Sequence, residues 1–396
     1  MTMSEKNKRI IYMDNAATTR MYPEVYNTMV PYLTEEYGNP SGTYGLASVS
    51  KKAIGTVREE LANLIGCRPN EILFTSGGTE ADNWAVRAVL ETYMPGLLLG
   101  DSRQKYTPHI ITSAIEHHAI LNSCRYLESL GVEVTYVRPD ENGVINPSVV
   151  EASIRNNTCL VSVMMANNET GVIQPIKEIG AIAHKHKLFM HTDAVQAFSH
   201  VLVNVEELNV DMMSVSAHKF NGPKGVGFLY ASEDIHISPF IYGGGQEGGR
   251  RAGTENVAAI VGMGEAAKLN HHNMEKNISR VTVLRDTLID KLQNDTELAG
   301  LVRVNGINSN RLPGIVNVMI KGIDGESVLL YLGMKGVCIS AGAACTSSDG
   351  HVSHVLRSMG LSEAEAGASL RISLGNDNSM EEIDDFVTIL KEVIKR

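Results

Sequence analysis

An acid and an amine stand at the ends of two short apolar runs near the middle of this chain. Leu188–His191 leads to Asp193, and Val210–Ser216 leads to Lys219. Both runs have the length and composition of buried strands. In an open parallel sheet, ligands gather beyond the carboxyl ends of the strands. Two neighbouring ends of this kind place a carboxylate and an amine at opposite ends of one small aromatic cofactor. Pyridoxal 5'-phosphate needs that pair: a lysine to hold its aldehyde as a Schiff base, and an acid to keep its pyridine nitrogen protonated so that the ring accepts electrons. Taken singly, Lys219 reads equally well as a surface lysine and Asp193 as a helix cap.

Other stretches supply what such a cofactor and its substrate require. Glu71–Phe74 reads as a strand, and Ala81–Leu90 as a helix. Between them Thr75-Ser76-Gly77-Gly78-Thr79-Glu80 makes a glycine turn. Strand, turn and helix in this order point free backbone N–H groups at a phosphate, and Thr79 adds a hydroxyl. Neither a dinucleotide GxGxxG nor a Walker loop is present. His109–Thr112 reads as a strand followed by Glu116-His117-His118 at the start of a helix, which suits His117 to stacking on a ring. Leu160–Met165 ends in Asn167-Asn168-Glu169-Thr170-Gly171. Arg371 is the second residue of a strand, Leu370–Leu374. Cys345 lies in SAGAACTSSDG, a loop of small residues with no apolar anchor, where burial of a thiol gains little.

The elements that must position these residues alternate between strand and helix over about 70 to 230, the pattern of an α/β fold with a mostly parallel sheet. Gly225–Tyr230 adds a strand, and Ile260 to about Thr296 carries a long helical pattern. Beyond it the texture changes: a strand at Ile315–Ile320, a helix at Ser327–Gly333, and a closing helix at Met380–Ile394. The expected division is a large domain over 15–270 and a smaller α+β domain formed by 1–14 with 271–396, carrying the cysteine loop at about 340–352.

The bulk composition narrows the classes. With 396 residues, 43% hydrophobic and 20% charged, the chain has an ordinary soluble composition. Its net charge of -10 gives no basic surface for nucleic acid. The polar start MTMSEKNKRI has no signal-peptide core, and no window suits a membrane span. Five scattered cysteines without a CxxC pair give no disulfide framework and fit a reducing, cytoplasmic setting.

The motifs DNAATT, GNPSG, FTSGGTEADN, EHHA, NNETG, HTDAVQ, SAHKFNGPKG, GGGQEGGRRAGTEN, SAGAACTS and RISLG occur in that order. In this the chain resembles the cysteine desulfurases of the NifS/IscS type, from Tyr12 to the final helix. The resemblance implies an aspartate-aminotransferase-like fold, the type I fold of pyridoxal phosphate enzymes, and a homodimer. It implies removal of sulfur from L-cysteine to give L-alanine and an enzyme persulfide. That sulfur would pass to an acceptor such as an iron–sulfur scaffold or a tRNA-thiolation enzyme. Carried over motif by motif, Lys219 resembles the Schiff-base lysine and Asp193 the partner of the pyridine nitrogen. His117 resembles the ring-stacking residue and proton shuttle, with Asn168 and Gln196 near the phenolic oxygen. Gly78, Thr79, Ser216 and His218 resemble the phosphate cradle, and Thr254 a phosphate ligand reaching in from the other subunit. Arg371 resembles the substrate-carboxylate clamp, Asn39 and Asn168 line the substrate pocket, and Cys345 matches the nucleophile. Several positions depart from the family pattern: Gly248 where an arginine is common, Ala341 and Ala343 where serines are commonest, and Val352 where a proline is usual. A selenocysteine lyase, or another lyase or aminotransferase of the same cofactor class, keeps Asp193 and Lys219 and is the alternative reading.

Overall fold

The structure is a computed structural model that describes residues 9–93, 107–341 and 352–395. After a short strand β1 (Ile11–Tyr12) come helices α1 (Pro23–Thr34) and α2 (Gly45–Ile65). The apolar stripe of α2 buries Ile54, Val57, Leu61 and Ile65, and Gly66 ends the helix in the left-handed region at φ 74°. Then follow β2 (Ile72–Thr75), α3 (Gly78–Tyr93), β3 (His109–Ser113), α4 (His118–Ser129), β4 (Glu133–Val137), α5 (Pro147–Ala152) and β5 (Thr158–Ser162). The large half continues with α6 (Ile176–Lys185), β6 (Phe189–Asp193), β7 (Met212–Ser216), β8 (Gly227–Ala231) and α7 (Val257–His272), after which α8 (Met274–Asn294) packs Leu284, Leu288 and Leu292 into the smaller part.

These strands form a seven-stranded sheet in the order β2-β8-β7-β6-β5-β3-β4. Every pairing among β3 to β7 is parallel, and β8 alone runs against its neighbours β7 and β2. The reversal follows from chain length: Ala217–Val226 is too short for a parallel crossover, which takes a dozen or more residues. That short connection holds Lys219 in a single helical turn, Ala217–Lys219. Because β8 reverses twice, β2 points the same way as β7. The carboxyl ends of β2, β3, β5, β6 and β7 therefore open on one edge. Strands β2, β3, β5 and β7 are buried along their whole length, which is why they read as apolar runs without alternation.

The remaining elements are β9 (Val302–Val304), β10 (Ile315–Ile320), α9 (Gly325–Met334), β11 (Val337–Cys338), β12 (Ser340–Ala341), α10 (His354–Ser358), α11 (Glu363–Gly367), β13 (Ser369–Ser373) and α12 (Met380–Ile394). They build a four-stranded antiparallel sheet, β12-β13-β10-β9, beside the parallel pair β1-β11. Their apolar cluster joins Ile11 and Met13 to Leu288, Val316, Val318, Leu370, Ile372, Phe386 and Leu390. Val355, Leu356 and Met359 of the α10 segment instead pack with the core of the large sheet. The fold is thus α/β of the expected type, a large, mostly parallel sheet with a smaller α+β domain. Among the described residues no helix is long and apolar enough to cross a membrane.

Local differences from the sequence reading have local causes. The helical pattern from Ile260 to Thr296 is two helices, with Asn273 ending α7 and opening α8 at φ -103°, ψ 10°. The run Leu160–Met165 leaves the ladder after Ser162, yet Val163 and Met165 still donate to the carbonyls of His191 and Asp193 at 3.1 and 2.9 Å. The chain is thereby kept extended to the sheet edge.

Candidate active site

A cavity of about 290 Å³ opens at that edge, lined by the ends of β2, β3, β5, β6 and β7 and closed from the other side by Ala16, Ala17, His354 and Arg371. It brings together Gly78, Thr79, His117, Asn168, Asp193, Gln196, Ser216, His218, Lys219 and Arg371. Two residues of the reading stand elsewhere. Asn39 is exposed, and its Oδ1 accepts from the Ser41 N–H at 2.9 Å. Thr254 is exposed and outside the cavity of its own chain. Cys345 lies outside the described residues.

Asp193 ends β6, where Oδ1 accepts from the Val195 N–H at 2.8 Å. Burial pushes its acid up to about 6, against the opposing pull of that hydrogen bond and of the Lys219 charge. A carboxylate held in this range matches a pyridinium nitrogen well. Lys219 donates from Nζ to the carbonyls of Ala16 and Ala17 at 2.6 and 2.9 Å. Its own carbonyl accepts from His200 Nε2 at 3.1 Å. The N-terminal turn DNAATT therefore sits directly against the amine.

The phosphate end follows from β2 and α3. Gly78 allows the turn to approach Val195, since a Cβ there would lie 2.6 Å from Val195 Cγ2. Glu80 accepts from the Ser76 N–H at 2.9 Å and from Arg251 Nε at 2.8 Å, bracing the first turn of α3. Thr79, Ser216 and His218 flank this turn, and His218 Nδ1 lies 3.1 Å from Thr18 Oγ1. Free N–H groups at a helix start beside hydroxyls and an imidazole suit a dianionic phosphate. With Lys219 and Asp193, this donor set fits pyridoxal phosphate at both ends.

His117 caps α4, its Nδ1 accepting from the Ala119 N–H at 3.1 Å. The cap leaves the proton of neutral His117 on Nε2. Burial, followed by the charge of Lys219, lowers its pKa to about 4. It offers a neutral ring and one N–H donor, and protonating Nδ1 would cost the helix its cap.

Arg371, 1% exposed, is held by Asp14 Oδ1 at 2.8 Å from Nη2 and by the Asn168 carbonyl at 3.1 Å from Nη1. Its Nε is buried with no hydrogen-bond partner. The guanidinium is thus fixed in direction while a donor remains for an incoming carboxylate. Gln196 donates from Nε2 to the Ala16 carbonyl at 2.9 Å. Asp14, Asp82, Glu169 and His354 are site residues to which the sequence reading assigned no role. Asp14, Asp82 and Glu169 fall inside the motifs DNAATT, FTSGGTEADN and NNETG, and membership of a motif is the signal the sequence offers for them.

The profile of the family described as "Aminotransferase class-V" matches residues 11–386. A cysteine desulfurase IscS of Methanosarcina thermophila is 45% identical over 394 residues, covering 100% of this chain and 94% of that protein. Among solved structures, a NifS-like protein superposes with a TM-score of 0.89 at 35% identity, covering 98% of this chain and 100% of that one. SspA in complex with cysteine gives a TM-score of 0.79 at 35% identity, covering 92% and 98% of the two chains. The chain belongs to the class-V aminotransferase family. Within it, this is a cysteine desulfurase of the NifS/IscS type.

Proposed function

We propose that the cavity holds pyridoxal 5'-phosphate on Lys219 and takes L-cysteine as substrate, yielding L-alanine and a persulfide on Cys345. The observation that carries this reading is the convergence, in one chamber, of Lys219, the buried acid Asp193, the neutral ring of His117 and the fixed guanidinium of Arg371. When bound, the cofactor supplies an electron sink for negative charge at the substrate's α-carbon. Arg371 holds the substrate carboxylate through the donor that Asp14 and Asn168 leave free. Lys219 would take the α-proton, since its hydrogen bonds to the Ala16 and Ala17 carbonyls keep the amine over the chamber. Asp193 keeps the positive charge at the far end, and Ser216, His218, Thr79 and the backbone at Gly78 hold the phosphate. L-cysteine as the substrate is supported by the likeness to SspA, seen in complex with cysteine.

The further parts of this reading are a homodimer in which Thr254 completes the partner's phosphate site, and Asn39 in the loop that lines the substrate pocket. The domain division is residues 15–270 against 1–14 with 271–396. The sulfur acceptor is a protein such as an iron–sulfur scaffold or a tRNA-thiolation enzyme, in the cytoplasm.

The test measures sulfide and alanine from L-cysteine, with and without a thiol reductant, while recording the visible spectrum. Wild type is expected to form both products and to show a Schiff-base band. Lys219→Ala should lose the band and turnover together, and Cys345→Ser should keep the band but lose turnover. Sulfide release by Cys345→Ser at the wild-type rate would remove Cys345 from the mechanism and leave another lyase of this cofactor class.

A further inference from the structure

One wall of the cavity has no part in the roles above. Glu169 follows Asn168 into the chamber beside Arg371, with His118 and His354 in the same lining. It is 1% exposed. Its N–H donates to Asn167 Oδ1 at 2.9 Å, and its carbonyl accepts from Asn317 Nδ2 at 3.2 Å, so the backbone is fixed on both sides. One carboxyl oxygen, Oε2, accepts the hydroxyl proton of Ser353. Ser353 Oγ in turn accepts from the Leu356 N–H at 3.1 Å as the cap of α10, so its single proton is committed to Glu169. The other oxygen, Oε1, is buried and has no hydrogen-bond partner. A buried polar atom left unsatisfied at a cavity wall calls for an explanation, and a ligand or reacting group supplies one.

The electrostatics agree with the geometry. Burial raises the acid of Glu169, while the Ser353 hydroxyl and the charges of Arg371 on β13 and His118 on α4 pull it the other way. Asp82, Asp193, His117, His218, Lys219 and His354 are the other titratable groups lining the chamber. Since Oε2 is already an acceptor, a proton on this side chain resides on Oε1.

We propose that Glu169 is a further acid–base residue of this site, whose Oε1 gives a proton to the substrate carbon that loses sulfur. The inference rests on the desulfurase reading. In that step the nucleophile, as thiolate, forms a sulfur–sulfur bond while the carbon–sulfur bond breaks and leaves its electron pair on the carbon side. The carbon, now reduced to a methyl group, takes the Oε1 proton. The transferred sulfur keeps its own hydrogen and ends as S–S–H, and the two sulfurs, each oxidised by one electron, balance the two-electron reduction of the carbon. Glu169, now a carboxylate, is reprotonated through solvent, the proton being balanced by the one the nucleophile released on ionising, and no external oxidant or acid is consumed.

Holoenzyme carrying Glu169→Gln or Glu169→Asp is compared with wild type. Glu169→Gln is expected to lower kcat for alanine by about 100-fold, with KM for L-cysteine changed less than about threefold, as for loss of one general acid. The alkaline fall of the wild-type pH profile should disappear with it, and Glu169→Asp should recover about a tenth of the lost rate. An infrared difference spectrum of wild type minus Glu169→Gln, in which the bands of Asp82 and Glu116 cancel, should retain one carboxylic-acid carbonyl band and so reports the Glu169 proton without turnover. Wild-type kcat and pH profile in Glu169→Gln would overturn the proposal. So would equal loss in both variants together with the cofactor band or the melting temperature, since that marks a structural role. If wild type forms neither sulfide nor alanine, the desulfurase reading is at fault, and absence of the carbonyl band from the difference spectrum still refutes a protonated Glu169.

Discussion

Asp193 shares the floor of the cavity with a second acid. Asp82, on the first turns of α3, has its Oδ1 unpartnered and 3.7 Å from His191 Nε2. The His191 ring is held by Ser162 Oγ at 2.9 Å and Ser214 Oγ at 3.0 Å, and burial lowers its pKa to about 3, so it stays neutral. Burial, and then the charge of Asp193, hold Asp82 well above the carboxylate range. Two carboxyls in one place thus divide their work: Asp82 keeps its proton and Asp193 carries the charge. Glu116 is a third buried acid, bonded to the Ser113 hydroxyl and to the Met164 N–H at 2.8 Å. Burial raises it from 4.5 to about 8. Between those pH values the folded protein binds more protons at this site than the unfolded chain. Its contribution is therefore present below pH 4.5 and is lost as pH rises through 8. The loss is on the order of 5 kcal/mol. Glutamine retains the oxygen that Ser113 and Met164 use. Glu116→Gln should therefore match wild type in urea midpoint near about pH 5 and exceed it near about pH 9. Parallel curves across that range would show that Glu116 is not the group that titrates. None of this is legible in EHHA or FTSGGTEADN as strings. Residue type marks the acids, whereas their separation and burial are set by tertiary packing.

At the scale of elements, the turn from β2 into α3 ties the two ends of the site together. Gly78 lets the turn lie against Val195, and the Val195 N–H is what orients Asp193. In Gly78→Ala the new methyl group displaces Val195, and the disturbance reaches the pyridine end of the site. Overpacking of this kind costs about 1–3 kcal/mol, so cofactor affinity should fall at least about fivefold. Titration of the apoprotein with pyridoxal phosphate, followed in the visible spectrum, measures it. Unchanged affinity would mean that Val195 yields without moving Asp193. The sequence shows this element clearly because strand, glycine turn and amphipathic helix each leave a local signature. The short strand Val302–Val304 and the direction of β8 leave none. Three residues are too few for a period, and orientation depends on the pairing partner. Arg371 was visible as a charge inside a strand, but Asp14, which aims it, sits more than three hundred residues away in the chain.

At the scale of the molecule, Thr254 makes the sharpest demand. It is exposed and takes no part in the cavity of its own chain, while Arg251 nearby is clamped to Glu80 at the phosphate turn. Tyr26, Leu33, Tyr37 and Tyr242 are also exposed, at 55%, 60%, 72% and 72%. Tyrosine is a residue type common in subunit interfaces. If each cavity is completed by the neighbour, Thr254→Ala must weaken phosphate binding in the partner's site and leave its own site intact. Mixed dimers test this directly. A subunit carrying Lys219→Ala is inactive, and a homodimer of Thr254→Ala holds cofactor weakly. In the mixed dimer, the subunit with Thr254→Ala keeps its own Lys219 and receives an unaltered Thr254 from its partner, so that one site is whole. At limiting cofactor, mixing should therefore restore activity above that of either parent, approaching half the wild-type value per dimer. If Thr254 instead served its own site, the mixed dimer would contain two damaged sites and no intact one. Its activity would then equal the mean of the two parents.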